Sequence, residues 1–307
     1  MKKRIANWGN FPVMESNVES FSFPGQLHEL LEEESAFIPR GNGRCYGDAS
    51  LAPRTISTLK FDKMLGFDTV NGIFECQSGL TLDQILPVII PKGWFLPVTP
   101  GTKFITVGGA AASDVHGKNH HIEGSFSNHI LEMELVLASG EAISCSPDQN
   151  KDLFEATCGG MGLTGIITRV KFRLKRIETS FIKQKQVRAE NLEELIHLFE
   201  QYHQYTYSVA WIDCLKKGAG FGRSILMLGE HACTADLNRE QQRDPLQVRK
   251  KKPVNFPFNL PSWILNTFTV KAFNQLYYAK NFKREINKLI YLESFFYPLD
   301  AILHWNR

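Results

Sequence analysis

The chain has 307 residues, enough for two domains with separate hydrophobic cores. Apolar residues make up 43% and charged residues 22%, which is the balance of a folded protein, and a net charge of +3 is too small to indicate nucleic-acid binding. The six cysteines contain no Cys-x-x-Cys pair, which argues against zinc fingers and disulfide scaffolds and favours reduced thiols in the cytosol.

The N-terminus gives no targeting signal. MKKRIANWGNFP has two lysines without an apolar run behind them, so we expect no signal peptide. No stretch of the sequence reaches the roughly 18–20 consecutive apolar residues that a membrane-spanning helix needs.

The first part of the chain mixes predicted helices and strands. Hydrophobic periodicity predicts an amphipathic helix over 25–35, strands at 36–40, 55–61 and 72–79, and a helix over 81–93 opened by Thr81 and stopped at Gly93. Further along, 129–146 predicts two strands around a Ser-Gly turn, and 151–177 a short helix, a glycine-rich turn and a long strand.

The composition changes after about residue 177. A helix is predicted over 191–204 and a strand over 205–215, whereas 231–262 is polar, then basic, then proline-rich and predicts a long mobile loop. We therefore predict an α+β protein with one domain at 1–177 and a second at 178–307.

The first of three glycine-rich turns is RGNGRCYGD at 40–48. Alternating glycines after a strand leave backbone N–H groups free to converge on an anion such as a phosphate. The segment is neither a Walker loop nor a Gly-x-Gly-x-x-Gly turn opening a helix. An ordinary glycine loop explains this turn equally well when it is taken alone.

The second turn lies within PGTKFITVGGAAASDVHGKNHH at 100–121. Its run of glycines and alanines suits the close approach of a flat or extended molecule to the backbone. Close helix packing is the alternative, but it does not call for the polar residues that follow. A metal site at His116, His120 and His121 is disfavoured because Gly117 interrupts the spacing and no His-Glu-x-x-His motif is present.

The third turn, CGGMGLTGIITRV at 158–170, has four glycines just before a strand and is weak evidence alone. The three turns together lie between residues 40 and 170, each at a junction of predicted elements. This arrangement predicts a large phosphate-bearing cofactor such as a dinucleotide, with Tyr46 and His116 as polar groups near it.

Three segments carry a resemblance to a known family. PRGNGRCYGD, PGTKFITVGGAAASDVHGKNHHIEGSFSNHI and ATCGGMGLTGIITRV resemble the FAD-binding domain of the vanillyl-alcohol-oxidase superfamily, also called PCMH-type. Within it, the HGKNHH run and later segments such as TYSVAWIDCL and FFYPLDAILHWNR are similar to the decaprenylphosphoryl-β-D-ribose 2-oxidase family. The resemblance covers nearly the whole chain.

This resemblance implies a two-subdomain FAD-binding domain followed by an α+β substrate domain with an antiparallel sheet. Tyr46, His116 and Lys118 would face the substrate and form the catalytic set, although a solvated lysine is the alternative for Lys118. The implied FAD contacts are Pro39, Arg40, Gly41, Asn42, Gly43, Arg44, Cys45, Tyr46, Gly47, Asp48, Ala49, Gly101, Thr106, Val107, Gly108, Gly109, Ser113, Asp114, Val115, His116 and Ile166. No metal is implied.

The implied reaction is oxidation of the ribose 2-hydroxyl of a polyprenylphosphoryl-β-D-ribose, with hydride transfer to flavin N5. A separate NAD(P)H-dependent short-chain reductase would complete the epimerisation to arabinose, a precursor of cell-wall arabinan. A sugar-lactone or alditol oxidase of the same superfamily, and an inactive FAD-binding fragment, are the alternatives. We expect a cytoplasmic protein; basic Arg249–Lys252 beside FPFNLPSW also suits peripheral contact with the inner membrane, although a solvated loop is the commoner meaning of such a run.

The chain departs from the family pattern at three places. Cys45 replaces a usual serine and Ser113 a usual cysteine, and both changes conserve a small side chain. The 40–48 loop has no histidine of the kind that attaches flavin covalently in relatives, so we expect non-covalent FAD. The family continues well beyond the position of Arg307, so we expect an incomplete substrate domain.

Overall fold

The computed structural model describes residues 2–33, 35–249, 254–255, 261–280 and 283–303. They form two compact units: the first contains the described residues of Met1–Gly117 and Glu123–Arg176, and the second those of Lys118–Ile122 and Ile177–Trp305. Helices combine with a mixed sheet and several antiparallel sheets, which confirms the predicted α+β class. The assignment of domains and of subdomains stays a prediction.

The elements before residue 177 follow the chain in this order. The strands are β1 (Lys2–Ala6), β2 (Val13–Ser20), β3 (Ile38–Arg40), β4 (Arg54–Ser57), β5 (Met64–Asp68), β6 (Ile73–Gln77), β7 (Trp94–Phe95), β8 (Ile130–Val136), β9 (Ala142–Cys145), β10 (Ile166–Arg173) and β11 (Lys175–Arg176). The helices are α1 (Pro24–Leu31), α2 (Leu82–Ile89), α3 (Val107–Ala112), α4 (His120–Glu123) and α5 (Lys151–Thr157).

Two sheets form the framework of the first unit. A four-stranded sheet has the order β1-β2-β4-β3, in which β1 pairs antiparallel with β2 and the other pairs are parallel. A five-stranded antiparallel sheet has the order β5-β6-β10-β8-β9. A hydrophobic cluster joins the elements of the unit through Phe21, Leu27, Ile56, Phe61, Val136 and Ile166.

The first two helices show how local sequence sets their limits. α2 begins at the predicted position because Thr81 and Gln84 form a capping box, and one 3-10 turn continues it to Lys92 before Gly93 adopts a left-handed conformation at φ 80°. α1 ends at Leu31, before the predicted end at residue 35. Glu32 and Glu33 follow it directly, and negative charge at a helix C-terminus opposes the helix dipole.

The second unit is built on one antiparallel sheet. Its strands are β12 (Phe181–Ala189), β13 (Tyr207–Ile212), β14 (Ser224–His231), β15 (Val254–Asn255), β16 (Glu285–Tyr291) and β17 (Ile302–Leu303), and its helices are α6 (Leu192–Gln201), α7 (Thr267–Lys280) and α8 (Leu292–Phe296). The four-stranded sheet has the order β13-β14-β12-β16, and α6 packs on it through a cluster that includes Val187, Leu195 and Leu226.

The predicted loop over 231–262 is more ordered than its composition suggests. His231 belongs to β14, short 3-10 turns form at Thr234–Asp236 and Gln241–Arg243, and β15 pairs in parallel with β17. Residues 250–253 and 256–260 of this prediction lie outside the described residues. Within the described part of the chain, the structure contains no helix with both the length and the apolar character needed to cross a membrane.

A candidate cofactor site at three glycine turns

The three glycine-rich turns meet in the first unit. A Cβ atom on Gly41 of the first turn would overlap the Thr106 side chain of the second. A Cβ on Gly162 of the third turn would lie 2.6 Å from Cγ of Pro39 at the start of the first. The Met161 N–H donates to the Ala112 carbonyl at 2.8 Å, which ties the third turn to the end of α3. Tertiary folding therefore brings together segments separated by up to about 120 residues in the sequence.

Buried Asn7 holds the first turn in place. Its side-chain amide donates to the Gly47 carbonyl at 2.7 Å, and its side-chain oxygen accepts hydrogen bonds from Arg40 and from the Ser50 hydroxyl. Sequence reasoning missed this residue, because a lone asparagine near the N-terminus carries no signal of its tertiary role. A buried polar side chain whose polar atoms are hydrogen-bonded stabilises one conformation of the loop that it contacts.

The Arg40 side chain is fully engaged inside the protein. Besides Asn7, its guanidinium donates to the Ser50 carbonyl at 3.0 Å and to the Ala6 carbonyl at 2.8 Å. Burial lowers the pKa of the Arg40 guanidinium below its usual value. A cofactor contact at this position would therefore use the backbone. The Arg44 guanidinium lies elsewhere, 4.6 Å from the Trp8 ring centre.

The second turn is a short helix rather than an irregular loop. α3 begins after Thr106, whose hydroxyl accepts a hydrogen bond from the Gly109 N–H at 3.1 Å. A Cβ on Gly108 would lie 2.7 Å from the Ser78 Cβ, and the Gly108 N–H donates to the Ser78 carbonyl at 2.8 Å. Close helix packing, the alternative that sequence reasoning set aside, therefore accounts for Gly108.

The chain after α3 is shaped by Asp114. This residue has a left-handed φ of 39°, and its carboxylate accepts hydrogen bonds from the Ser125 hydroxyl at 2.7 Å and from the Ser127 N–H at 2.9 Å. These bonds close the turn, and His116 then forms an isolated antiparallel bridge with Ser125. Asp114 thus fixes the backbone that carries exposed His116.

The third turn supplies backbone rather than reactive groups. Met161 and Gly162 both have positive φ, at 53° and 84°, which lets the chain turn sharply between α5 and β10. Burial, with the nearby Asp114 carboxylate, raises the pKa of the Cys158 thiol to about 12. Cys158 therefore stays protonated at neutral pH and is not a nucleophile.

Two glycines are not explained by packing within the protein. Around Gly47 and Gly101, a Cβ atom would meet no atom of the other described residues within 4 Å apart from the chain neighbours, and neither glycine has a positive φ. Both are exposed on the turns that meet at this site. The buried Ser78 hydroxyl, beside Gly108, has no hydrogen-bond partner among the described residues. Open backbone and an unsatisfied hydroxyl are the features expected where a ligand with polar atoms lies against the chain.

The predicted contact residues differ in exposure. Exposed positions, which a ligand can reach through the side chain or the backbone, are Asn42, Tyr46, Gly47, Asp48, Gly101 and His116. Half-buried positions are Pro39, Arg40, Gly41, Gly43, Arg44, Cys45, Ala49, Gly109, Ser113, Asp114 and Val115. Thr106, Val107, Gly108 and Ile166 are buried, and Ile166 packs in the core cluster of the unit, so only its backbone is a candidate contact. Their roles stay predictions.

Lys118 belongs to the second unit, where its ammonium group lies among aromatic rings. Its Nζ donates to the Phe296 carbonyl at 3.0 Å and lies 5.6 Å and 5.8 Å from the ring centres of Phe295 and Phe296. Burial lowers the pKa of the Lys118 ammonium to about 8. A partly desolvated cation of this kind interacts more strongly with an anion than a solvated lysine does.

The histidines of the second turn have separate partners. The His121 Nε2 atom lies 2.9 Å from the Tyr205 carbonyl in the second unit, whereas His116 lies on the first. Over the described ranges, no group of three His, Cys, Asp or Glu side chains is arranged to hold a metal ion. The absence of a metal stays a prediction.

Comparison with known proteins agrees with this geometry. Residues 27–146, which include the first two turns, match the family described as FAD binding domain. The decaprenylphosphoryl-β-D-ribose oxidase of Mycolicibacterium smegmatis is 35% identical over 99% of this chain and 68% of its own length. A putative D-arabinono-1,4-lactone oxidase of Neurospora crassa is 33% identical over 37% of this chain and 20% of its own. D-Lactate dehydrogenase of Anaerostipes hadrus is 28% identical over 53% of this chain and 35% of its own length.

The extent of the first match decides the family. An identity of 35% that runs along 99% of the chain covers both compact units, not the cofactor turns alone. The open backbone at Gly47 and Gly101 fits the FAD that the matched domain binds. The chain therefore belongs to the decaprenylphosphoryl-β-D-ribose oxidase family, and it is an FAD-dependent oxidoreductase of the FAD-binding oxidase superfamily.

Proposed function

We propose that the protein oxidises the 2-hydroxyl of a polyprenylphosphoryl-β-D-ribose to the keto sugar, as the first half of an epimerisation to the arabinose form. The observation that carries this proposal is the 35% identity over 99% of the chain to an enzyme named for that lipid-linked ribose. The three meeting turns support it, because they offer the open backbone that an extended cofactor needs. FAD bound there would accept the C2 hydride at its N5 atom.

The protein's own residues bind and orient the sugar and hold its proton. Exposed His116 is the candidate to accept the hydroxyl proton as the hydride leaves, and the hydrogen-bonded Asp114 turn holds its backbone. Exposed Tyr46 on the first turn would orient the sugar. Lys118, whose ammonium is largely charged at pH 7 with a pKa lowered by burial to about 8, would attract the phosphate.

We propose that FAD is held without a covalent bond, because the 40–48 loop contains no histidine that could attach it. Precipitation of the purified protein with acid tests this directly. Yellow flavin released into the supernatant is the expected result, and flavin that stays with the pellet would contradict it.

The experiment that tests the reaction is anaerobic titration of the purified chain with a short-chain prenylphosphoryl-β-D-ribose. Bound oxidised flavin absorbs at about 375 and 450 nm, and we expect the substrate to bleach the longer-wavelength band. His116→Ala should slow bleaching, while the purified variant still carries FAD. Bleaching by a sugar lactone or an alditol, but not by the lipid-linked ribose, would favour the alternative that the Neurospora crassa relative represents.

The partners follow from the chemistry of the product. A keto sugar needs a hydride donor to become arabinose, so we propose an NAD(P)H-dependent short-chain reductase as the second enzyme. The prenyl chain of the substrate resides in a bilayer, so we also propose peripheral contact of this protein with a membrane. Consumption of NADH or NADPH only when oxidase, substrate and reductase are all present is the expected result.

A further inference from the structure

We infer that α7 and the turn before it, residues 261–280, form the surface by which the protein binds an anionic membrane. This segment is called the α7 surface below. The inference rests on the proposed membrane contact but not on the oxidation reaction. It is carried by the orientation of the helix and by the charge of the surrounding sequence.

Several large apolar side chains of the α7 surface are exposed to solvent. Trp263 is 72% exposed, Phe268 81% and Leu276 71%, and Phe273 beside them is also exposed. Phe268, Ala272 and Leu276 are four residues apart, so they lie along one face of the helix. A helix of a water-soluble protein normally buries such a face and exposes its polar one.

Other side chains of α7 attach the helix to the second unit, and the Tyr277 ring lies 4.8 Å from the Trp211 ring centre. The buried Asn274 amide donates to Asp213 at 2.7 Å, and Arg223 donates to the Gln275 side chain at 2.9 Å. The buried Tyr278 hydroxyl donates to the Ala189 carbonyl at 3.1 Å. Asn274, Tyr277 and Tyr278 therefore face the protein, whereas the large apolar side chains of Phe268 and Leu276 lie in solvent. Exposed apolar side chains of this size are the groups that a helix inserts into a membrane interface.

The sequence around this helix has one sign of charge. Between Asp244 and Glu285 there is no acidic residue, whereas the same stretch contains the basic residues Arg249, Lys250, Lys251, Lys252, Lys271, Lys280, Lys283 and Arg284. The whole chain has a net charge of only +3, so the rest of the protein is net negative. Lys271 and Lys280, the basic residues within the α7 surface itself, place positive charge on the helix that carries the exposed aromatic side chains. This combination complements an anionic bilayer surface.

A second copy of the chain fits this surface less well. Two α7 surfaces in contact would bring together Lys271 and Lys280 of both copies, with no acidic residue in the segment to pair with them. Like charges at an interface oppose association. An anionic lipid surface satisfies both the apolar side chains and the charge. We therefore assign the α7 surface to lipid.

Flotation of the FAD-loaded full chain with vesicles tests the inference. We expect binding to vesicles of phosphatidylcholine with 30% phosphatidylglycerol (a composition chosen as roughly that of a strongly anionic leaflet) and much weaker binding to phosphatidylcholine alone. Phe268→Ser and Leu276→Ser should each weaken the partition constant roughly tenfold, the effect of removing one buried large apolar side chain. Lys271→Gln and Lys280→Gln should each weaken it about fivefold, and salt should weaken the wild type.

Matched controls come from the first unit. Val70 is 84% exposed on the turn between β5 and β6, and Lys60 is also exposed, so Val70→Ser and Lys60→Gln change similar groups elsewhere and should bind as the wild type does. Circular dichroism and the flavin spectrum confirm that each variant folds. Vesicle binding that is absent, or that survives the α7 substitutions, would overturn the inference. A concentration-dependent dimer abolished by Phe268→Ser would overturn it in favour of a second copy.

The result of the flotation test is independent of the result of the flavin-bleaching test. Flavin bleaching by a short-chain substrate in solution needs no vesicles, whereas flotation needs no substrate. Bleaching without flotation would contradict the membrane-binding role of the α7 surface and support the proposed reaction. Flotation without bleaching would support the membrane-binding role of the α7 surface and contradict the proposed reaction.

Discussion

At the scale of single residues, the glycines of the site fall into two groups. Gly41, Gly108 and Gly162 are required by the protein itself, because a Cβ there would overlap neighbouring atoms. Gly47 and Gly101 have open space around them, so the fold does not require glycine at either position. Only the second group is evidence for a ligand, because the fold requires glycine at the positions of the first group whether or not a cofactor binds.

This distinction gives a prediction for Gly47→Ala. The methyl group meets no protein atom, so the apoprotein should melt at the wild-type temperature or slightly above it, as alanine restricts the unfolded chain. FAD affinity should fall about tenfold or more, because one added methyl in a binding site is worth that much. Gly41→Ala is the control and should lower the melting temperature of the apoprotein as well. Unchanged FAD affinity in Gly47→Ala would contradict the assigned site.

A second residue-scale prediction concerns pH and Lys118. Burial lowers the pKa of its ammonium to about 8, so the cation is present below pH 8 and is lost as the pH rises through that value. Affinity for the phosphate-bearing substrate should therefore decline above about pH 8, measured by titration of flavin bleaching from pH 6.5 to about 9.5. Lys118→Arg should move the decline to higher pH, because arginine stays charged. The same decline in Lys118→Gln would rule out this lysine as its cause.

At the scale of elements, a buried ion pair fastens α7 to the second unit. Arg223 donates to the Asp213 carboxylate at 2.9 and 2.8 Å, and Asn274 donates to its other oxygen. Burial opposes ionisation, but the hydrogen bonds from Arg223 and Asn274 outweigh it and hold the pKa of the Asp213 carboxyl below its usual value. A lowered carboxyl pKa stabilises the folded state at neutral pH, and this contribution is lost as the pH falls into the acid range.

The corresponding prediction is for Asp213→Ala. It leaves Arg223 buried without its carboxylate, which should cost about 3–5 kcal/mol in the free energy of unfolding measured with urea. Glu285→Ala removes the more exposed partner of Lys185 in the same sheet and should cost less than about 1 kcal/mol. Equal losses in the two variants would show that the buried pair has no special role in holding α7.

At the scale of the whole molecule, cofactor binding should be visible as local protection. FAD binds the folded protein, so hydrogen exchange should slow at the segments it contacts. We expect slower exchange at 40–48, in α3 and at 158–165 when FAD is added to the apoprotein. α6, which packs on the sheet of the second unit, should be unchanged and serves as the internal control. Protection in α6 without protection of the three turns would contradict the assigned cofactor site.

Much of the local structure follows from the sequence. The capping box of Thr81 and Gln84, the left-handed Gly93 and the N-cap of Asn191 are local interactions, and for this reason α2 and α6 begin where the pattern predicts. The long strands β12 and β14 were not predicted. β12 is polar along much of one face, and only His231 at the end of β14 falls in the stretch predicted as a loop. Their pairing with each other depends on residues about 40 positions apart.

The sequence by itself determined the three glycine turns, the resemblance to FAD-binding oxidases and the residues predicted to contact the cofactor and the substrate. These are properties of short contiguous motifs. Only the tertiary structure decided that the turns meet, that Asn7 and Arg40 lock the first of them, and that Gly108 serves packing whereas Gly47 and Gly101 leave space. It alone also showed that Phe268 and Leu276 of α7 are exposed to solvent. These features depend on contacts between residues far apart in the chain, and neither motif nor periodicity records such contacts.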